Sequence, residues 1–401
     1  MKKLLFVCVV SFVVISFVSC GGRVKVSWKK SVSIPQQPRN VQLNVFIENS
    51  GSMCGYMVDG SELKDAVYSY VSDLDGYVDT TRLFYINSEI FSFKEGLKRF
   101  IHDMTPTGIM SIGGNKSNSN IDEMFELMLR NTAYDQVSIF VSDCILDVPN
   151  GNATNFFENS KTTIRNAFRH KLKEDKNFGV EVFRLKSRYS GMYFLPTRGI
   201  ERLDSVSRPY YMFVMGNKNI LAYLNSKCSL KSIKGLENKC AFTSYSVLSF
   251  DITNNFGKPF PQCKMDVLPD KEGDYGVCIK ADFRPTLQDA QTICSLSNYD
   301  MDRNGSVVVE QVEPIKDEPE FTHRLTLKAK SSIKSSAVSL GFAIKDIPDW
   351  VSMYNDDSGK NVKNNIEKTT GIKYIIQGIF DAFKDADNLK LGEFNFIINR
   401  R

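Results

Sequence analysis

Two rhythms of apolar and polar positions run along the chain, and they divide it. In the first half, short β-branched and apolar runs alternate with stretches whose apolar positions recur every three or four residues, the mark of amphipathic helices. Residues 41–47, 81–86, 136–143, 179–185 and 209–215 read as strands, and 189–195 as an extra extended segment. Helical spacing covers 61–74, through Leu63, Val67, Val71 and Leu74, and then 95–104, the stretch opened by Ser119, 155–174 and 219–224. Residues 105–118 hold a proline, three glycines and clustered Ser and Asn, so a long polar loop is expected there. Strands alternating with helices imply right-handed crossovers and a mostly parallel, Rossmann-like sheet flanked by helices over residues 41–227.

From Cys228 the rhythm changes to short alternating runs at 243–250, 275–281, 305–310, 323–329 and 338–344, parted by Gly, Pro, Asp and Asn. This pattern predicts a β-rich α+β domain over 228–401, sandwich-like or barrel-like. A helix is expected near 371–384, with Ile372, Ile375, Ile376, Ile379 and Phe380 on one face, followed by a strand at 389–397. That apolar stripe is as wide as a buried face needs.

Met1-Lys2-Lys3 and the apolar run to Val18 have the charged start and short core of a secretory signal, too short to span a membrane. The segment closes Val18-Ser19-Cys20-Gly21 and resembles a bacterial lipobox. The resemblance implies a signal peptide over 1–19 and lipidation at Cys20, hence a chain tethered to a membrane without crossing it. Residues 20–40 read as a linker, ending in the helix-stopping Pro35 and Pro38. The net charge is +5, yet Arg23, Lys25, Lys29, Lys30 and Arg39 face no acid between 21 and 40. The body beyond is slightly acidic, which argues against a nucleic-acid binder and places the positive charge where it would lie on anionic headgroups. Surface-exported lipoproteins of the Bacteroides-like group carry acids just after the cysteine. None follows here, which favours the periplasmic face of the outer membrane over the cell surface.

Of nine cysteines, seven lie beyond Cys20. An exported chain can keep disulfides, but an odd count leaves at least one thiol unpaired within the chain. No Cys-x-x-Cys spacing occurs and only three histidines exist, so a structural zinc site is not expected.

The densest chemistry follows the first apolar run, where Glu48-Asn49-Ser50-Gly51-Ser52-Met53-Cys54-Gly55 stops a strand and precedes a helix. Polar groups at the carboxyl end of a strand sit where open α/β sheets keep their ligands. Glu48-x-Ser50-x-Ser52 resembles the Asp-x-Ser-x-Ser signature of the metal-ion-dependent adhesion site in von Willebrand factor A domains, with Glu in the Asp place. Ser119-Asn120-Ile121 resembles that family's second loop, with Ser for Thr. Asp143 stands at its third-loop aspartate, with Cys144 in place of the usual Gly. Read without the family, Ser119 is an N-cap and Asp143 a turn residue.

The resemblance implies that Ser50, Ser52 and Ser119 offer neutral oxygens, and Glu48 and Asp143 carboxylates, to Mg²⁺ or Mn²⁺. It further implies a protein or glycan partner whose acidic group completes the site. The extra methylene of Glu48 shifts its carboxylate by a bond length or so. The expected function is therefore a membrane-anchored adhesion or assembly module, not an enzyme. The alternatives are a metal-free scaffold lipoprotein in the cell envelope, or a hydrolase using Ser52 or Cys54. For the latter, Gly51-Ser52-Met53-Cys54-Gly55 misplaces the serine of a nucleophile elbow.

Overall fold

A computed structural model describes residues 22–30, 35–115, 120–148, 153–195, 199–243, 248–254, 258–300, 305–359 and 362–400. The lipidation candidate Cys20 and the loop residue Ser119 lie outside the described residues.

The chain opens with β1 (Val24–Trp28), followed by β2 (Gln42–Glu48), the 3₁₀ turn Ser52–Tyr56, α1 (Glu62–Asp75), β3 (Thr80–Ile86) and β4 (Ile90–Phe93). Next come α2 (Leu97–Asp103), α3 (Pro106–Ser111), α4 (Ile121–Arg130), β5 (Gln136–Ser142) and α5 (Ala153–Glu174). Helix α3 occupies the expected loop, started by Pro106 at its first turn and by the Thr105 hydroxyl, which accepts the Gly108 amide at 3.0 Å. Two long strands, β6 (Phe178–Phe194) and β7 (Ile200–Asn217), precede α6 (Lys218–Lys227) and β8 (Leu236–Phe242).

All of these strands except β1 form one seven-stranded sheet, ordered β4-β3-β2-β5-β7-β6-β8. Only the β3–β2–β5 centre is parallel; β4, β7, β6 and β8 each join by antiparallel pairing, so the sheet is mixed rather than mostly parallel. The cause is local. The link between β6 and β7 is far shorter than a helical crossover needs, so the two strands must return as a hairpin. The extended segment at 189–195 and the strand at 209–215 belong to its two arms.

The sheet is buried on both faces. Leu43, Val45, Ile47, Ile139 and Val141 meet α1, α2, α3 and α6 on one side. Phe46, Phe140, Phe213 and Phe242 meet α4 and α5 on the other.

Beyond the sheet follow β9 (Phe250–Thr253), β10 (Lys264–Val267), β11 (Tyr275–Ala281), α7 (Ala290–Cys294), β12 (Val307–Pro314), β13 (His323–Ala329) and β14 (Ser336–Ala343). The chain ends with α8 (Asp349–Met353), the two-residue strands β15 (Asn355–Asp356) and β16 (Thr369–Thr370), α9 (Ile372–Asp385) and β17 (Lys390–Arg400). Two four-stranded antiparallel sheets, β10-β1-β17-β14 and β12-β13-β11-β9, pack face to face as expected of a sandwich. Phe250 and Phe394 meet edge to face at 5.5 Å across the gap, and Phe283 and Phe342 at 5.1 Å.

Two features depart from the expected boundaries. Residues 24–28, read as linker, form β1 in the sandwich, where Val24, Val26 and Trp28 alternate inward and the Trp28 indole donates to Asp251 at 2.7 Å. The second departure is at Cys228: β8 and α9 follow it in sequence yet complete the seven-stranded sheet and its helical layer. The α9 face of Ile375, Ile376, Ile379 and Phe383 belongs to one core with Phe125, Phe168 and Phe213.

Candidate functional site

Strand periodicity places the first carboxylate. Phe46 and Glu48 share one face of β2, and Phe140 and Ser142 share the same face of the adjacent β5. The Ser142 hydroxyl donates to Glu48 Oε2 at 2.5 Å and accepts the Cys144 amide at 2.8 Å. Glu48 is completely buried, as is Asn49 beside it. The chain then turns, and the Ser50 and Ser52 hydroxyls come within 3.0 Å of each other.

Asp143 ends β5 and is buried as well. Its Oδ1 accepts the Ile145 amide at 3.4 Å, while Oδ2 is buried without a hydrogen-bond partner among the described residues. Burial and the neighbouring Glu48 carboxylate push the Asp143 carboxyl up to about 8, although the Ser52 hydroxyl and the Arg208 guanidinium pull the other way. Cys144 follows with φ of 54°, in the left-handed region that a residue with a Cβ enters only at a cost. Burial and its place beside Glu48 and Asp143 raise the Cys144 thiol well above the ordinary range.

The structure therefore brings Glu48, Ser50, Ser52 and Asp143 together at the carboxyl ends of adjacent parallel strands. The fifth candidate, Ser119, precedes α4 in the loop outside the described residues, so its position is not part of this cluster's geometry. Among the described residues no group of three or more His, Cys, Asp or Glu side chains gathers as a metal cage. The cluster here has two carboxylates and two hydroxyls instead. Its donor chemistry fits a small hard cation: every donor is oxygen, the two carboxylates repel in a dry setting, and one carboxylate oxygen is orphaned.

The β6–β7 hairpin lies over this rim. Its Tyr189 ring packs so tightly on the 3₁₀ turn that a Cβ at Gly55 would stand 2.2 Å from the ring, and Phe194 lies 3.0 Å from where a Cβ of Gly51 would be. Tyr56 meets Tyr189 edge to face at 4.9 Å and donates its hydroxyl to the Pro209 carbonyl at 2.5 Å. The hairpin is tied to α1 as well, since Glu62 Oε2 accepts the Arg188 amide at 2.7 Å and the Ser187 hydroxyl accepts the Leu63 amide at 3.1 Å. As a result only Ser52, at 9% exposure, keeps any appreciable contact with solvent among the four donors.

Arg208, on β7, was not apparent from motif reasoning. Its guanidinium is fully buried, faces the Tyr56 and Tyr193 side chains, and makes no well-aligned hydrogen bond among the described residues. The Tyr193 ring lies beneath it at 4.3 Å and Tyr189 at 6.0 Å, and its charge offsets part of the rise at Asp143. The only hint in the sequence was a charged residue set directly before the apolar run Pro209 to Met215. Nothing local told which face of the strand it would take.

Neither a family model nor a curated protein matches the chain. Among solved structures it is similar to a conserved hypothetical protein, BatB, from Bacteroides thetaiotaomicron, at 15% identity and a TM-score of 0.18 over 30% of this chain and 61% of that one. A second similar structure is an aerotolerance-related membrane protein from Bacteroides fragilis NCTC 9343 carrying multiple mutations to serines, again at 15% identity and a TM-score of 0.18, over 31% of this chain and 63% of the other. The chain thus spans about three fifths of the length of each.

Proposed function

We propose that the chain is a lipid-anchored binding module of the bacterial cell envelope, built on a von Willebrand factor A-like sheet, whose rim holds a divalent cation. One observation carries the reading: two buried carboxylates, Glu48 and Asp143, stand at neighbouring strand ends beside paired serine hydroxyls, and Asp143 Oδ2 has no donor among the described residues. A buried cluster of this kind is electrostatically poor without a cation. The left-handed backbone at Cys144, at the place where the resemblance has Gly, also supports it.

Glu48, Ser50, Ser52 and Asp143 would hold Mg²⁺ or Mn²⁺, with Ser119 as the further donor that the resemblance implies. The cation would neutralise the two carboxylates and tie the Glu48 turn to the Asp143 turn. Because the hairpin covers the donors, a partner's acidic group would approach along Ser52, past the hairpin end where Met192, Phe194 and Ile200 are exposed. That apolar border suits a protein partner. Among the described residues no helix is long and apolar enough to cross a membrane, so attachment in this reading rests on Cys20.

Thermal unfolding with Mg²⁺, Mn²⁺ or chelator tests the metal. A ligand at a hundred times its Kd adds about 2.7 kcal/mol, so either ion should raise the wild-type Tm by several degrees and Ser52→Ala should lose most of that gain. Identical melting of both proteins with ion and with chelator would overturn the proposal.

A further inference from the structure

We infer that one end of the β-sandwich rests directly on the phospholipid headgroups, with Leu268 dipping below them. The inference rests on the lipid anchor at Cys20 and adds how the folded body sits on the membrane. Its starting point is the strand found in place of the tether. Val24 is already paired with Val267 and Arg400, and the Gly22 carbonyl accepts the Tyr275 hydroxyl at 2.7 Å. Only Gly21 lies between Gly22 and Cys20, a reach of about 7 Å even when fully extended. A body held that closely cannot stand away from the bilayer.

Strand direction defines the surface that must face it. The start of β1, the end of β17, the β10–β11 connection and the β13–β14 connection all lie at one end of the sandwich, as their registers require. That end carries the exposed cations Arg23, Lys271, Lys330, Lys334 and Arg400. Three of its acids, Asp270, Glu272 and Asp274, share Lys328, at 3.9, 2.6 and 3.4 Å. Among these charges Leu268 is 64% exposed, the most exposed large apolar side chain described. A bare leucine at the end that carries these lysines and arginines, one residue beyond the Val267 partner of Val24, is complementary to an anionic bilayer surface. The opposite end, beyond β14, carries the exposed Met353 and serves as the reference.

The test uses the full acylated chain in vesicles of phosphatidylethanolamine and phosphatidylglycerol with brominated acyl chains. Leu268→Trp and Met353→Trp are compared, the buried Trp28 and Trp350 giving the same background in both. The expected result is several-fold stronger bromine quenching from position 268 than from position 353. Replacing Lys271, Lys330 and Lys334 with Glu should reduce it, with near-UV circular dichroism unchanged. Flotation with the vesicles combined with equal quenching at the two positions would overturn the docking and leave the anchor standing. A mature chain without acyl mass at Cys20 that fails to float would remove the anchor and the docking together.

Discussion

At the scale of single residues, Asp143 carries the sharpest consequence. In the unfolded chain it ionises at the ordinary carboxylate value of about 4, whereas in the fold it holds its proton to about 8. Between those values the folded protein keeps a proton that the unfolded chain has lost, so this group's contribution to stability falls as pH rises and levels off above 8. Asp143→Asn removes that loss. In chelator, the variant's Tm advantage over wild type should therefore grow from pH 5 to pH 8, and an advantage indifferent to pH would contradict the assignment. That Glu48, Ser50, Ser52 and Asp143 share one rim was legible because each follows an apolar strand and the family resemblance links the two turns; alone, Asp143 reads as a turn residue. Arg208, Tyr189 and Tyr193 were not legible, since a cation and its aromatic neighbours brought together by a hairpin leave no spacing signature.

At the scale of elements, the hairpin of β6 and β7 decides how the rim is used. Most strand and helix positions of the first half followed from periodicity, β4 and α3 excepted, but the direction of the outer strands did not follow from alternation alone. The short link between residues 194 and 200 excludes a parallel crossover, but the strands read at 189–195 and 209–215 left room for one. The contact between hairpin and 3₁₀ turn depends on Gly55 having no side chain, because Tyr189 fills the space. Gly55→Ala should cost about 1–3 kcal/mol, as overpacking does. Adding Tyr189→Ala should restore part of it, because the clash then disappears. Chemical denaturation of the two single variants and the double variant checks this coupling. Strict additivity would mean that the hairpin does not press on the turn.

At the scale of the whole molecule, the two rhythms of the sequence do not mark two independent bodies. The apolar stripe of α9 was evident, but periodicity tells which face is buried and not what covers it. It covers α5 and the sheet of the first half. Arg184 makes the same point with charge: buried on β6, it pairs with Glu237, donates to the Glu367 carbonyl at 3.0 Å and stacks on Tyr354 at 3.5 Å. A fragment of residues 41–227 loses β8, α9 and all three of those partners. It should unfold without cooperativity and bind hydrophobic dyes, whereas the chain from residue 22 onward should unfold cooperatively. A fragment with sharp unfolding and dispersed side-chain NMR signals would show that the first half stands alone. Among the described residues no disulfide is present, so none of this integrity comes from one.

Whether the rim of this sheet is a cation site is answered most directly by anomalous diffraction from a crystal soaked in Mn²⁺. The account predicts a single strong peak between the Glu48–Ser52 turn and Asp143, absent from Ser52→Ala crystals. A well-ordered rim without a peak, in crystals that take up manganese elsewhere, would contradict it.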